Sequence, residues 1–290
     1  MQVELNSPCK VNLILNILGK RPDGFHELET VMHPVPVFDS LTFAKGGTGI
    51  QMTCNTPELP TGSGNLVYRA GEKFLAAAGI TDGVQIHLEK RIPLAAGLGG
   101  GSANAAVTLT GLNELFGHPL KHAELHPIAA SLGSDIPFFL QNKPALATGR
   151  GESVVSLDRF PALAGFHILL IHPGFGVSTA WAYKNLVRFS AALNGERSRA
   201  ARLVGALEKG TLEQARPDFY NSLEAPVLEK FPLLTIFQEF LKENGASITM
   251  MSGSGSTTFA LVPNEPIVEL LKGKFVERFG SFCWVKSVPL

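Results

Sequence analysis

Pro93-Leu94-Ala95-Ala96-Gly97-Leu98-Gly99-Gly100-Gly101-Ser102-Ala103-Asn104-Ala105-Ala106 places four glycines within five positions directly before an alanine-rich run. Glycines let consecutive backbone N–H groups turn toward one point, and a following helix start adds unpaired donors and the positive end of its dipole. That combination is a phosphate-binding device. The competing reading is a turn whose glycines serve only close packing, although such a cluster costs backbone entropy in any case. Two familiar phosphate loops do not fit. Gly97-x-Gly99-x-x-Ser102 lacks the third glycine of a dinucleotide fingerprint, and no Gly-Lys-Ser/Thr follows.

Downstream of the loop, Ala103, Ala106, Val107, Thr110 and Leu115 mark one face of a helix that stops near Gly117, and Lys121 to Leu132 predicts a second. Upstream, Asn65 to Ala78 reads as a helix closed by Gly79. The alternation from Val11 to Leu18 predicts a strand with one buried face, reversed by the Arg21-Pro22-Asp23-Gly24 turn into a second strand from Leu28 to Val37. Strand-like runs follow at Leu41 to Ala44, Gly49 to Cys54 and Val84 to Glu89. Beyond Phe166 come a strand His167-Ile-Leu-Leu-Ile171, helices, strands near Ser247 to Met250 and Thr257 to Val262, a helix from Glu265 and a last strand from Phe282 to Val288. The expectation is α+β, in two halves of 1–155 and 156–290.

A length of 290 residues suits two domains, and 45% hydrophobic with 17% charged residues describes a globular chain. Lys+Arg 25 balance Asp+Glu 25, so no overall field draws the chain to nucleic acid or anionic lipid, and an anionic ligand needs locally placed positive groups. Cys9, Cys54 and Cys283 are too few and too scattered for a disulfide framework. Glu4 and Asn6 stand where a signal peptide needs a basic start and an apolar run, and no apolar stretch approaches the roughly 20 residues of a membrane span. A cytoplasmic protein without membrane partner is expected.

Several other residues carry chemistry by type. Met251-Ser-Gly-Ser-Gly-Ser-Thr257 is a second glycine-rich loop, by itself as readily a tight turn as a binding element. Lys10 opens the first strand beside Pro8 and Asn12. Asp135 lies in Leu132-Gly-Ser-Asp-Ile-Pro-Phe-Phe139, where Pro137 biases Ile136 toward extended backbone and puts the aspartate on an irregular corner. An edge lysine is usually a solvated cation, and an aspartate after Gly-Ser usually a turn residue. His118, His122 and His126 fall at i, i+4 and i+8, but Pro119 and Pro127 interrupt the outer members and no ligand partner stands at a clear spacing. His26-Glu-Leu-Glu-Thr30 has threonine where a zinc peptidase needs its second histidine.

Taken together, Pro8-Cys-Lys-Val-Asn12, the loop from Pro93 to Ala103 and Met251 to Ser256 resemble the three ordered motifs of the galactokinase, homoserine kinase, mevalonate kinase and phosphomevalonate kinase (GHMP) superfamily, across nearly the whole chain. Gly19-Lys-Arg-Pro-Asp-Gly-Phe-His-Glu-Leu28 and Gly133-Ser-Asp-Ile-Pro-Phe-Phe139 are similar to the branch acting on 4-diphosphocytidyl-2-C-methyl-D-erythritol in the non-mevalonate isoprenoid pathway. The resemblance implies an amino-terminal domain of the ribosomal-protein-S5 domain-2-like type, a carboxy-terminal ferredoxin-like α/β-plait and ligands in the cleft between them. It implies ATP as phosphoryl donor, with Mg2+, and the 2-hydroxyl of the methylerythritol unit as acceptor. By the same resemblance Asp135 is the base and Lys10 the charge stabiliser. The loop from Pro93 to Ala103 wraps the ATP phosphates, Ser102 also being a metal candidate, and Asn65 and Leu66 stand on the nucleotide's base side. Asn12 and His26 face the cytidine diphosphate end, where Phe25 is one aromatic plate and Tyr183 the second, with Trp181 as its reserve. Both rings as plain core is the competing reading. A monomer or weak homodimer is expected.

Two alternatives stay open at this level. A homoserine or mevalonate kinase shares the ATP machinery but has no base to stack, so Phe25, His26 and Tyr183 separate it from the cytidyl reading. A catalytically dead nucleotide or sugar sensor on the same fold has no use for both Lys10 and Asp135.

Overall fold

The computed structural model describes residues 2–290. Eleven strands occur among them: β1 Gln2–Lys20, β2 His26–Lys45, β3 Ile50–Cys54, β4 Val84–Glu89, β5 Ala145–Gly149, β6 Ser153–Ser156, β7 His167–His172, β8 Tyr220–Asn221, β9 Ile248–Met251, β10 Thr258–Val262 and β11 Trp284–Pro289. The helices are α1 Leu66–Ala78, α2 Gly100–Leu115, α3 His122–Leu132, α4 Thr179–Leu186, α5 Ser190–Leu193, α6 Arg199–Lys209, α7 Leu212–Ala215, α8 Glu224–Lys230, α9 Pro232–Glu243 and α10 Glu265–Phe279. The architecture is α+β, as expected. No helix among the described residues is long and apolar enough to cross a membrane.

By packing, the chain forms two compact units that interleave in sequence. The first holds residues 1–9, 37–92 and 99–142. In it β3 runs parallel to β4, and β4 pairs antiparallel with the second half of β2, from Ser40↔Glu89 to Lys45↔Val84. Helices α1 and α2 lie against these strands. Gly111 on α2 meets the Phe43 ring so closely that no Cβ fits there, which is why an otherwise alanine- and leucine-rich helix carries a glycine at that turn. Gly79 closes α1 as read, in the left-handed conformation at φ 65°, while Asn65 lies just outside the helix as its N-cap, its side chain accepting Val67 N–H at 2.9 Å.

The second unit holds residues 10–36, 93–98 and 143–290. Here β5 pairs with the first half of β2, from Leu28↔Gly149 to Met32↔Ala145, and with β6, while β8 lies parallel on β1 through Ile14↔Tyr220 and Leu15↔Asn221. A separate antiparallel sheet has the order β11-β7-β10-β9. In chain order this is strand, helices, two strands, helix, strand, with the fourth strand beside the first and the third beside the second. That is the ferredoxin-like plait. Its core is Leu169 and Ile171 of β7 and Ala260 and Val262 of β10, packed against Phe237 and Leu241 of α9 and Val268, Leu271 and Phe275 of α10.

Three expectations need correction. Residues 28–37 and 41–44 belong to one strand, because Pro34 and Pro36 fall between the stretch paired with β5 and the stretch paired with β4; proline's fixed φ suits extended backbone and harms a strand only where an N–H is needed. Ile136 is not extended but right-handed helical, φ −67° and ψ −41°, because it leads into a 3-10 turn over Pro137–Leu140. Pro127 lies inside α3 and does not interrupt it.

Candidate active site

In the second unit, Lys10 is buried at 3% exposure on β1. Its ammonium donates to Asn12 Oδ1 at 2.6 Å and to the Gly97 carbonyl at 3.1 Å, and its backbone N–H donates to Leu98 O at 2.9 Å. A period of two puts Lys10 and Asn12 on the same face of the strand. The Asn12 amide nitrogen donates to Thr30 Oγ1 at 2.8 Å, and that hydroxyl donates to Ile14 O at 2.6 Å. The amide oxygen of Asn12 is thereby turned toward the lysine.

The second glycine-rich loop joins the first inside this unit. Ser252 Oγ donates to Gly97 O at 2.9 Å and Thr257 N to Ala96 O at 3.2 Å. Gly97 stands at φ +76°, and a Cβ there would overlap Ser252 O and lie 3.0 Å from Gly255 N. Gly97 O therefore receives both Lys10 Nζ and Ser252 Oγ. The loop from Met251 to Thr257 is no free-standing turn.

From Gly99 onward the first loop belongs to the other unit. Gly99 caps α2 at φ 70° and, as a glycine, offers no side chain to the first-turn N–H groups. An ideal Cβ at Gly101 would lie 3.9 Å from Leu66 Cδ1, so the start of α1 adjoins the start of α2. The Asn65 amide itself is used structurally, accepting Val67 N–H and donating to Pro60 O at 2.8 Å. Beside Gly100 lies Lys90 Nζ, 3.2 Å from where a Cβ would stand. This ammonium is paired with the fully buried Asp39 carboxylate and donates to Asn104 Oδ1 at 3.2 Å. Asp39 also accepts Arg91 N, Ile92 N and Asn104 Nδ2 at 2.8 to 2.9 Å. The Lys90 charge is neutralised by that buried carboxylate. Asp135, half-buried, stands in the turn before Pro137, outside any helix.

The residues expected at a base-binding end fall partly together in the second unit. The His26 ring stands 5.0 Å from the Tyr183 ring at 39°. Burial, helped by the charge of Lys20, lowers the His26 pKa, and its Nε2 is buried without a hydrogen-bond partner. Phe25 is 54% exposed, with the Arg150 guanidinium 4.7 Å over its ring. Trp181 goes elsewhere, under Lys230 Nζ at 4.1 Å and edge-on to Phe231. In the first unit His122 donates its Nε2–H to Leu140 O at 3.0 Å and faces the His126 ring at 5.3 Å.

Sequence reasoning missed Thr30, Lys90 with Asp39 and Asn104, and Asn221, whose amide donates to the carbonyls of Met251 and Gly253 at 2.8 Å each. The one available signal was a polar residue interrupting an apolar strand pattern, as Asp39 does between Val37 and Leu41.

Comparison with known proteins gives the same direction. The GHMP kinases N terminal domain model matches residues 65–143 and the GHMP kinases C terminal model residues 203–280. A 4-diphosphocytidyl-2-C-methyl-D-erythritol kinase of Geobacter sp. (strain M21) is 39% identical over 285 residues, covering 97% of both chains. Its namesake in Pelotomaculum thermopropionicum is 42% identical over 254 residues, covering 87% of this chain and 86% of that one. A crystal structure of 4-(cytidine 5′-diphospho)-2C-methyl-D-erythritol kinase superposes with a TM-score of 0.79 at 32% identity, covering 99% of this chain and 100% of that chain. Homoserine kinase from Cytophaga hutchinsonii, at 18% identity and TM-score 0.78 over 99% of this chain and 93% of that one, shares the fold. The chain belongs to the GHMP kinases, among the 4-diphosphocytidyl-2-C-methyl-D-erythritol kinases.

Proposed function

We propose that this ATP-dependent small-molecule kinase transfers the γ-phosphoryl group of ATP to the 2-hydroxyl of 4-diphosphocytidyl-2-C-methyl-D-erythritol. The acceptor hydroxyl oxygen forms a bond to the γ-phosphorus, the bond from that phosphorus to the β–γ bridging oxygen breaks, and ADP leaves with the electron pair. Asp135 takes the hydroxyl proton. Lys10 holds the acceptor in register and stabilises the charge that develops. Phosphoryl transfer needs little covalent help, so positioning and electrostatics supply most of the catalysis.

Residues 93–103 take the phosphates, with Asn65 and Leu66 toward the nucleotide base. Mg2+ would come with the nucleotide and neutralise charge on its phosphates. No cluster of three or more His, Cys, Asp or Glu side chains suited to a metal occurs among the described residues, which fits an ion held largely by phosphates and water. Ser102 would share it. Asn12 and His26 face the cytidine diphosphate, and Phe25 and Tyr183 are the plates. The chain divides into functional halves at 1–155 and 156–290.

The observation that carries the cytidyl assignment is the buried, unpartnered Nε2 of His26 beside the Tyr183 ring, with burial favouring the neutral imidazole. An imidazole nitrogen placed in this way can read a base edge by hydrogen bonding, and buried polar atoms of this kind are normally satisfied. Incubation with ATP and a panel holding the cytidyl compound, its base-free analogue, homoserine and mevalonate tests the reading. Phosphorus NMR is expected to show a new 2-phosphate on the cytidyl compound alone. Faster turnover of homoserine or mevalonate refutes it.

A further inference from the structure

Asn221 has no role in the chemistry above, yet it is 2% exposed and all of its polar side-chain atoms are engaged. Its amide nitrogen donates to Met251 O and Gly253 O, both at 2.8 Å, and its Oδ1 accepts Leu223 N–H at 2.9 Å. The Leu223 bond fixes which end of the amide is which, so the two N–H bonds must point at the two carbonyls. Those carbonyls belong to the loop whose Ser252 hydroxyl and Thr257 N–H hold Gly97 O and Ala96 O. Asn221 also sits on β8, paired to β1 at Leu15, and the next residue, Ser222, is tied to β1 by Ser222 N–H to Leu15 O at 2.8 Å and Ile17 N–H to Ser222 Oγ at 2.9 Å. Strand β1 carries Lys10.

We infer that Asn221 is a positioning residue for phosphoryl transfer. Its carboxamide clamps the loop from Met251 to Thr257, and through Ser252 that loop sets where the Gly97 carbonyl, the 93–98 arm and the Lys10 ammonium stand. The inference rests on the phosphate-loop reading of residues 93–103 given above. It also explains the residue type. The position faces two acceptors and one donor inside the protein, and among side chains of this size only asparagine offers two donors and one acceptor there. Aspartate offers acceptors to acceptors.

The test uses purified full-length enzyme, Asn221→Asp and Asn221→Ala, followed from pH 5.5 to 8.5 and always read as the ratio of variant to wild type at the same pH. The ratio removes contributions from ionisable groups common to both, namely Lys10 and the buried Glu224, whose carboxylate accepts Met251 N–H and Gln238 Nε2–H and has its pKa raised by burial. At pH 8 Asn221→Asp should lose about 10- to 100-fold in kcat and bind a non-hydrolysable ATP analogue at least roughly tenfold more weakly, with KM for the cytidyl acceptor within about threefold of wild type. Toward pH 5.5 the ratio should climb several-fold, because a protonated carboxyl regains one donor, while Asn221→Ala stays low at every pH. A flat ratio for Asn221→Asp, or kcat and ATP affinity near wild type in both variants, overturns the assignment. A lowered melting temperature with unchanged kcat and ATP affinity also overturns it and leaves a purely structural asparagine.

Should Asn221→Asp fail to fold, Asn221→Ala combined with Ser252→Ala decides. Strong non-additivity in kcat is expected for one linked clamp, and simple additivity refutes it. If wild type itself does not phosphorylate the cytidyl compound, the acceptor reading fails, and Asn221 is judged on ATP-analogue affinity, which needs no acceptor.

Discussion

Replacing Gly97 by alanine tests the join between the two glycine-rich loops with one methyl group. Gly97 sits at φ +76°, and the new Cβ would overlap Ser252 O while standing 3.0 Å from Gly255 N and 3.1 Å from Gly255 O. An L-residue in that conformation costs about 1–2 kcal/mol before any contact is counted. Backbone on both sides leaves the methyl no flexible neighbour to displace, so the loops must part. Parting them breaks Ser252 Oγ–H to Gly97 O and Thr257 N–H to Ala96 O, each worth about 1 kcal/mol net. The charged bond from Lys10 Nζ to Gly97 O is weakened as well. The variant therefore pays about 3–4 kcal/mol to reach the ATP-competent arrangement, and apparent affinity falls in proportion to the competent fraction, roughly 10²- to 10³-fold. Calorimetric titration with a non-hydrolysable ATP analogue measures this. Gly205→Ala on α6, where a Cβ meets nothing within 4 Å, serves as control and should bind normally. A folded Gly97→Ala protein that binds the analogue within threefold of wild type would refute the described packing of the two loops.

Asp135→Asn is expected to keep fold and ATP binding while kcat drops roughly 10²- to 10⁴-fold, as for loss of a general base; near-normal turnover removes the aspartate from the mechanism. Phe25→Ala and Tyr183→Ala should each raise KM for the cytidyl acceptor about 5- to 150-fold, the equivalent of about 1–3 kcal/mol of stacking, with KM for ATP unchanged. Unchanged KM in Phe25→Ala defeats the cytosine assignment, and silence of Tyr183→Ala alone sends the search to Trp181. His33, whose Nδ1–H donates to Pro34 O, has its pKa lowered by burial to about 4. The unfolded chain then binds the proton that the native state excludes between pH 6.5 and 4, so stability falls as pH drops through that window. His33→Gln should reduce the fall between pH 6.5 and 4.5 by about 2 kcal/mol in urea titrations, and identical curves would contradict it.

Local chemistry was legible in the sequence and distant chemistry was not. The caps of α1 at Asn65 and Gly79, the start of α2 and the strands of the plait follow from residues within a few positions of each other. Strand β1 was read too short because Ser7 occupies an inward-facing position that alternation assigns to an apolar side chain; its hydroxyl accepts Asn104 Nδ2 at 2.9 Å, 97 residues away. The site behaves similarly. Lys10, Asn12 and Asp135 were singled out through motif resemblance alone, since an edge lysine and a turn aspartate are common. Thr30 and Asn221 are buried polar residues whose partners lie across the fold, and no periodicity announces such a pairing. The link between the glycine-rich loops is of the same kind, with Gly97 and Ser252 separated by 155 positions.

The second packing unit is gathered from residues 10–36, 93–98 and 143–290, and this has a consequence during synthesis. Strand β1 emerges among the first residues of the nascent chain, but its β8 neighbour at Tyr220 and the Ser252 hydroxyl that meets Gly97 O appear only in the last third. Until then the 93–98 arm lacks the Ser252 and Thr257 donors that hold the carbonyls of Gly97 and Ala96. On the phosphate-loop reading proposed above, nascent chains and products of early termination should therefore bind a non-hydrolysable ATP analogue far more weakly than the full chain.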